Sequence, residues 1–120
     1  MRKVMLLVSA AYTMALLYYS AVPQMTGVGA VGYANGWVAH FFAYMVYSAV
    51  LFVSFKGTGC KKRVLIPLIV ASAVGALAEI LQLFVPGRSC DFFDWSFDAL
   101  GAATGIAISC LLKWKTRREL

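Results

Sequence analysis

Four long apolar runs separated by three short polar connections set the pattern of this chain. Val4 to Val22 carries no charge and stops at Pro23. Trp37 to Phe55 carries none with His40 neutral, and stops at Lys56-Gly57. Val64 to Val85 holds one charge, Glu79, and stops at Pro86-Gly87, and Trp95 to Leu112 holds one, Asp98, and stops at Lys113. A helix needs about 17–25 apolar residues to cross the hydrocarbon core of a bilayer. All four runs meet that length, the last one only just. None shows the strict alternation of a membrane-barrel strand. The pattern predicts an all-α polytopic membrane protein: a bundle of four transmembrane helices over about residues 4–22, 37–55, 64–85 and 95–112, in one domain spanning 1–120, without linkers or repeats. The glycine-rich connection "PQMTGVGAVGYANG" is expected to be a flexible or partly re-entrant loop. Pro67 is expected in the first turn of the third helix, where proline is tolerated.

Composition strengthens this reading. The chain of 120 residues is 62% hydrophobic and only 13% charged, where soluble domains carry about 25% charged residues. The net charge of +6 raises nucleic acid as a partner, and its placement argues against one. Arg2 and Lys3 precede the first run. Lys56, Lys61, Lys62 and Arg63 join the second to the third, and Lys113, Lys115, Arg117 and Arg118 follow the fourth. Only Arg88 lies in the other connections. Because cytoplasmic loops are enriched in Lys and Arg, this bias predicts both termini in the cytoplasm. The first run exceeds the usual 7–15-residue core of a signal peptide and lacks a convincing cleavage site, so a retained helix is expected. Trp37, Trp95 and Trp114 fall where an aromatic belt is expected. Cys60, Cys90 and Cys110 are read as free thiols, since the bilayer separates Cys60 from Cys90.

The acids are the exception to the apolar pattern. Four of the five acidic residues lie between Glu79 and Asp98. Ionisable groups inside a bilayer cost about 2.5–3.5 kcal/mol on insertion scales and therefore point to function. Six residues before Val85, Glu79 is expected about 9 Å below the outer end of its helix at 1.5 Å per residue. Gln82 shares its face, and Gly75 and Ser72 continue that face inward. His40 sits near the outer start of the second helix, followed by Tyr44 at i+4 and Tyr47 at i+7. Asp94, Asp98, Gly101 and Gly105 form one stripe on the fourth helix, with Asp94 expected as its N-cap. The Gly101-x-x-x-Gly105 spacing suits close helix approach. Arg88 and Asp91 lie on the connecting loop.

These residues are expected at one depth on one side of the membrane. Catalytic candidates are His40, Glu79 and Asp94; binding candidates are Arg88, Gln82, Tyr44, Asp91 and Asp98. Such a set suits acid–base chemistry, phosphate binding through Arg88, or a divalent cation held by Asp94 and Asp98. Each residue also has a structural reading. Pairing of Glu79 with Arg88 or His40 to hold helices together weighs evenly against a catalytic role, a single histidine is readily satisfied by a backbone carbonyl, Asp91 suits a turn, and Tyr44 suits packing.

At these residues the chain resembles the VanZ-like family of small bacterial membrane proteins. The resemblance rests on "ExxQxxxPGRSxDxxDxxxDxxGxxxG" from Glu79 to Gly105 and on "HFFAY" from His40 to Tyr44, together about a third of the chain. Two positions depart from the family pattern. Asp98 stands where asparagine is frequent, and Gly36-Trp37 stand where many members have an acidic-basic pair. The resemblance implies a link to glycopeptide resistance, chiefly to teicoplanin, and a relation to enzymes that process lipid headgroups or lipid-linked carbohydrate. The expected function is therefore action on a lipid headgroup or lipid-linked cell-envelope precursor at the outer leaflet of the bacterial cytoplasmic membrane. A non-enzymatic lipid-binding or accessory role is the alternative. The expected partner is a membrane lipid, with oligomerisation open and no nucleic acid. A transporter ranks last, since no inverted repeat is present.

Overall fold

A computed structural model describes residues 1–23, 36–88 and 90–119, with Glu119 described by its backbone alone. Four helices form among these residues: α1 (Arg2–Ala21), α2 (Gly36–Ser54), α3 (Cys60–Gln82) and α4 (Phe92–Glu119). All four are long and apolar enough to cross a membrane. The chain is an integral membrane protein built as a four-helix bundle. The glycine-rich connection of residues 24–35, with the loop expected there, lies outside the described residues.

Side chains are distributed as a bilayer requires. Large apolar groups face outward: Leu7, Met14, Ile69, Phe84 and Leu111 are all more than half exposed. The interior combines small and polar groups, among them Ala71, Ala78, Ala102, Ser48, Ser54 and Gly75, with a few large ones, Tyr44, Tyr47, Leu51 and Phe52. Lipid offers no hydrophobic reward for helix association, so close backbone approach and interhelical hydrogen bonds drive it.

The most extensive contact joins α2 to α4. These helices run parallel, and the glycine spacing explains their closeness. A Cβ at Gly101 would overlap the Phe41 carbonyl, and one at Gly105 would overlap the Met45 carbonyl and the Ser48 hydroxyl. The third helix runs antiparallel to both. Here the Trp95 indole N–H donates to the Ser72 carbonyl at 3.1 Å. Trp95 thus serves as an interhelical donor as well as an aromatic near the helix start.

Polar bonds attach α1 to α2. The Ser9 and Ser54 hydroxyls meet at 2.8 Å, Thr13 meets the Tyr47 hydroxyl at 2.5 Å, and Tyr12 donates to the Ala43 carbonyl at 2.8 Å. The Tyr12 and Tyr47 rings stack with centroids 5.2 Å apart. Among the described residues α1 does not pack on α4. An apolar groove of about 310 Å³ runs between them, floored by Met45, Val46, Ala49 and Val50 of α2.

Four boundaries differ most from the sequence expectation. The third helix starts at Cys60, not near residue 64, because Gly59 turns the chain and accepts the Arg63 N–H at 3.0 Å. Pro67 therefore lies inside the helix, not in its first turn. The same helix ends at Gln82, three residues before Val85, and the chain leaves through tighter bonds such as Val85 N–H to Gln82 carbonyl at 3.2 Å. The fourth helix starts at Phe92, not Trp95, and continues through its basic tail to Glu119. At 1.5 Å per residue it is about 42 Å long, so its C-terminal turns extend beyond a hydrocarbon core of about 30 Å.

Candidate functional site

The acid-rich segment folds as a helix end, a tight turn and a helix start. Gly87 adopts φ +80 in that turn, a left-handed conformation that glycine reaches without a Cβ penalty. Arg88 N–H donates to the Val85 carbonyl at 3.2 Å and closes it.

Asp91 starts the fourth helix. Its side chain accepts the Phe93 N–H at 2.9 Å and its carbonyl accepts the Trp95 N–H at 3.3 Å. Asp91 is thus the N-cap, and the expectation of Asp94 in that position is corrected. Asp94 lies one turn further in, where its charge complements the positive end of the helix dipole. The spacing Asp91-Phe92-Phe93-Asp94 carried this signal: a cap followed by an acid three residues on is the pattern of a helix start.

Three helix ends bring four ionisable residues together at this end of the bundle. His40 is in the second turn of α2, Glu79 in the last turn of α3, and Asp94 and Asp98 in the first two turns of α4. His40 Nδ1 lies 2.7 Å from Asp98 Oδ1, a hydrogen bond in which the ring N–H donates to the carboxylate. His40 Nε2 faces Asp94 Oδ2 at 4.0 Å. Asp98 is fully buried and Glu79 is 3% exposed, whereas the His40 and Asp94 side chains are 21% and 26% exposed. The group therefore has a buried floor and a more open side.

Glu79 does not pair with Arg88 among the described residues. Its Oε2 accepts the Asp91 N–H at 3.0 Å, linking the end of α3 to the cap of α4. The other oxygen, Oε1, is buried without a partner among the described residues, as is Asp98 Oδ2. Gly75 makes room for the latter, since a Cβ there would stand 2.9 Å from Asp98 Oδ2. One donor atom each from His40, Glu79 and Asp98 fall within 4.8 Å of one another. The two metal candidates from sequence thus separate: Asp98 belongs to this compact set, while Asp94 stands beside it.

Arg88 reaches elsewhere. Its Nη1 donates to the Ser20 carbonyl at 3.2 Å and its guanidinium lies 5.4 Å from the Tyr19 ring centroid. It therefore serves the C-terminal end of α1, where a cation complements the helix dipole. Arg63 does the same near the end of α2, donating to the Phe52 carbonyl at 3.1 Å. Gln82 is buried in the last turn of α3, and Tyr44 is buried one turn below His40, edge-to-face with Tyr47 at 6.1 Å. The roles of the Gly75 seat and of the Ser20 carbonyl are tertiary and have no signature in local sequence.

No curated protein and no solved structure matches the chain. The VanZ/LLP1 family model matches residues 2–113, a span that takes in all four helices and every residue of this polar group. The chain therefore belongs to the VanZ/LLP1 family.

Proposed function

We propose that this protein acts on the headgroup of a membrane lipid or lipid-linked envelope precursor, at the extracytoplasmic face of the bacterial cytoplasmic membrane. The observation that supports it best is the His40–Glu79–Asp98 group at one end of a membrane bundle, with Glu79 Oε1 and Asp98 Oδ2 buried and unpartnered among the described residues. Leaving one buried polar group unsatisfied costs about 1–3 kcal/mol, and more for a charged one. A group serving only to hold helices together would satisfy its oxygens. Two unsatisfied oxygens fit a site that completes its bonds on a ligand.

Basic residues supply the orientation. Ten of eleven lie at the start of α1, between α2 and α3 or in the first turn of α3, or at the end of α4, which is the end of the bundle opposite the acids. By the positive-inside rule that end faces the cytoplasm, with both termini. A lipid headgroup at the opposite face meets the polar group at its own depth. In this reading His40, Glu79 and Asp98 form the floor that receives the polar part of the headgroup. Asp94, beside the ring of His40 and partly exposed, exchanges the proton.

The test compares lipids and cell-wall precursors in cells with and without the protein, together with teicoplanin susceptibility. One lipid or precursor class should change, and the change should vanish in His40→Ala and Glu79→Gln at unchanged protein abundance. An unchanged lipid profile, with any susceptibility phenotype surviving both substitutions, would sink the proposal.

A further inference from the structure

The geometry points to a divalent metal ion held by His40, Glu79 and Asp98. This deepens the lipid-headgroup reading and rests on it for the substrate; the cation site itself is read from the three residues.

Donor chemistry is the first argument. One imidazole and two carboxylates on three different helices suit Mn²⁺ or Zn²⁺, which accept mixed nitrogen and oxygen ligands. Distance is the second. Donors bonded to one ion at about 2.0–2.2 Å stand at most about 4.4 Å apart. The three donor atoms here lie within 4.8 Å of one another, so the set closes with a contraction of a few tenths of an ångström if the widest pair is trans and of roughly 1.4 Å in a tetrahedral shell. Such a shift is within the rotamer freedom of Glu79 and His40.

Unmet bonding is the third and independent argument. Glu79 Oε1 and Asp98 Oδ2 have no hydrogen-bond partner among the described residues, although Glu79 is 3% and Asp98 0% exposed. A cation meets this need better than a water, because charge has to be balanced as well. Ionised, Glu79, Asp94 and Asp98 carry three negative charges, and a protonated His40 offsets only one. The one basic side chain near this end among the described residues, Arg88, does not compensate them: it donates to the Ser20 carbonyl and lies near the Tyr19 ring, and the other basic residues lie at the opposite end.

Two neighbours act as supports. Gly75 provides the space in which the Asp98 carboxylate lies. The Asp91 N–H holds Glu79 Oε2 at 3.0 Å, which fixes the carboxylate as outer hydrogen bonds fix metal ligands generally. When bound, the ion supplies electrostatic stabilisation to a headgroup oxyanion and lowers the pKa of a bound water. Asp94 stands outside the ligand set, 4.0 Å from His40 Nε2, placed to take that water's proton.

The experiment titrates the full chain in lipid nanodiscs with Mn²⁺, followed by electron paramagnetic resonance. The inference expects one Mn²⁺ per chain, with nuclear modulation from an imidazole nitrogen. Binding should weaken at least about tenfold in Glu79→Gln and Asp98→Asn at unchanged helicity. Zn²⁺ should displace the bound Mn²⁺. Should either variant fail to fold, thermal unfolding of the wild type decides: added Mn²⁺ should raise its midpoint. The inference is overturned by no binding up to millimolar Mn²⁺, by binding without nitrogen modulation, by binding that survives both substitutions, or by a midpoint unmoved by the ion. Lipid turnover without metal binding would remove the ion and leave the headgroup reading intact, whereas metal binding with no lipid altered would do the reverse.

Discussion

Replacing Gly101 with alanine joins helix packing to the site in a single test. A Cβ at this position would overlap the backbone carbonyl of Phe41. Carbonyl oxygens on a helix cannot swing aside, so α2 has to retreat by about 1 Å to restore ordinary contact near 3.5 Å. Phe41 follows His40 directly, and Asp98 lies one turn before Gly101. The retreat therefore stretches the His40 Nδ1 to Asp98 Oδ1 bond from 2.7 Å past the limit of about 3.5 Å at which a hydrogen bond still counts. Alanine gains about 0.5–1 kcal/mol in helix propensity, and overpacking costs about 1–3 kcal/mol. Losing a hydrogen bond to a charged group costs a further 1.5–3 kcal/mol, roughly. The balance is a loss on the order of 2–4 kcal/mol. Unfolding in mixed micelles measures it, and nitrogen NMR of labelled His40 reports the imidazole bond. A variant as stable as wild type with an unchanged imidazole spectrum would refute the close packing of α2 on α4 and the coupling drawn from it.

Other expectations follow from single contacts. Trp95→Phe removes the indole bond to the Ser72 carbonyl and should lower stability by about 0.6 kcal/mol, typical of interhelical bonds in membranes, as read by micellar unfolding. Asp91→Ala should cost about 1 kcal/mol through loss of the cap, while Asp91→Asn should retain most of it; a greater loss in the asparagine variant would contradict the capping geometry. Cys60 and Cys90 are both exposed at opposite ends of the bundle. A membrane-impermeant thiol reagent should label Cys90 in intact cells and Cys60 only after lysis, and the reverse pattern would invert the proposed topology.

Helix number and order were legible because they depend on run length and hydropathy alone. Helix ends were less so. Lys61, Lys62 and Arg63 are excluded from a membrane core but not from a helix, so counting apolar residues starts α3 too late and hides Pro67 in a supposed first turn. The same counting ends α3 at Val85, where tighter turns have already replaced it. It therefore places Glu79 about a turn too deep. Helical spacing located the Asp98–Gly101–Gly105 stripe, since periodicity fixes which residues share a face. Spacing within one helix does not tell which neighbour that face meets, and the His40–Asp98 bond joins residues 58 apart in sequence. Arg88 illustrates the remaining gap. Its proximity in sequence to Glu79 and Asp91 suggested a role among the acids, yet the turn at Gly87 and the end of α1 direct it to Ser20.

Turnover of a lipid headgroup by the purified protein tests the central proposal most directly. The wild type and Glu79→Gln would be compared in nanodiscs containing bacterial phospholipids and lipid-linked wall precursor, supplied with Mn²⁺ and resolved by mass spectrometry. Glutamine keeps an oxygen able to accept the Asp91 N–H, so the variant should fold while losing the carboxylate charge. The account expects one headgroup class to be converted by the wild type and left intact by Glu79→Gln. No conversion of any lipid by folded wild type, or equal conversion by both proteins, would contradict it.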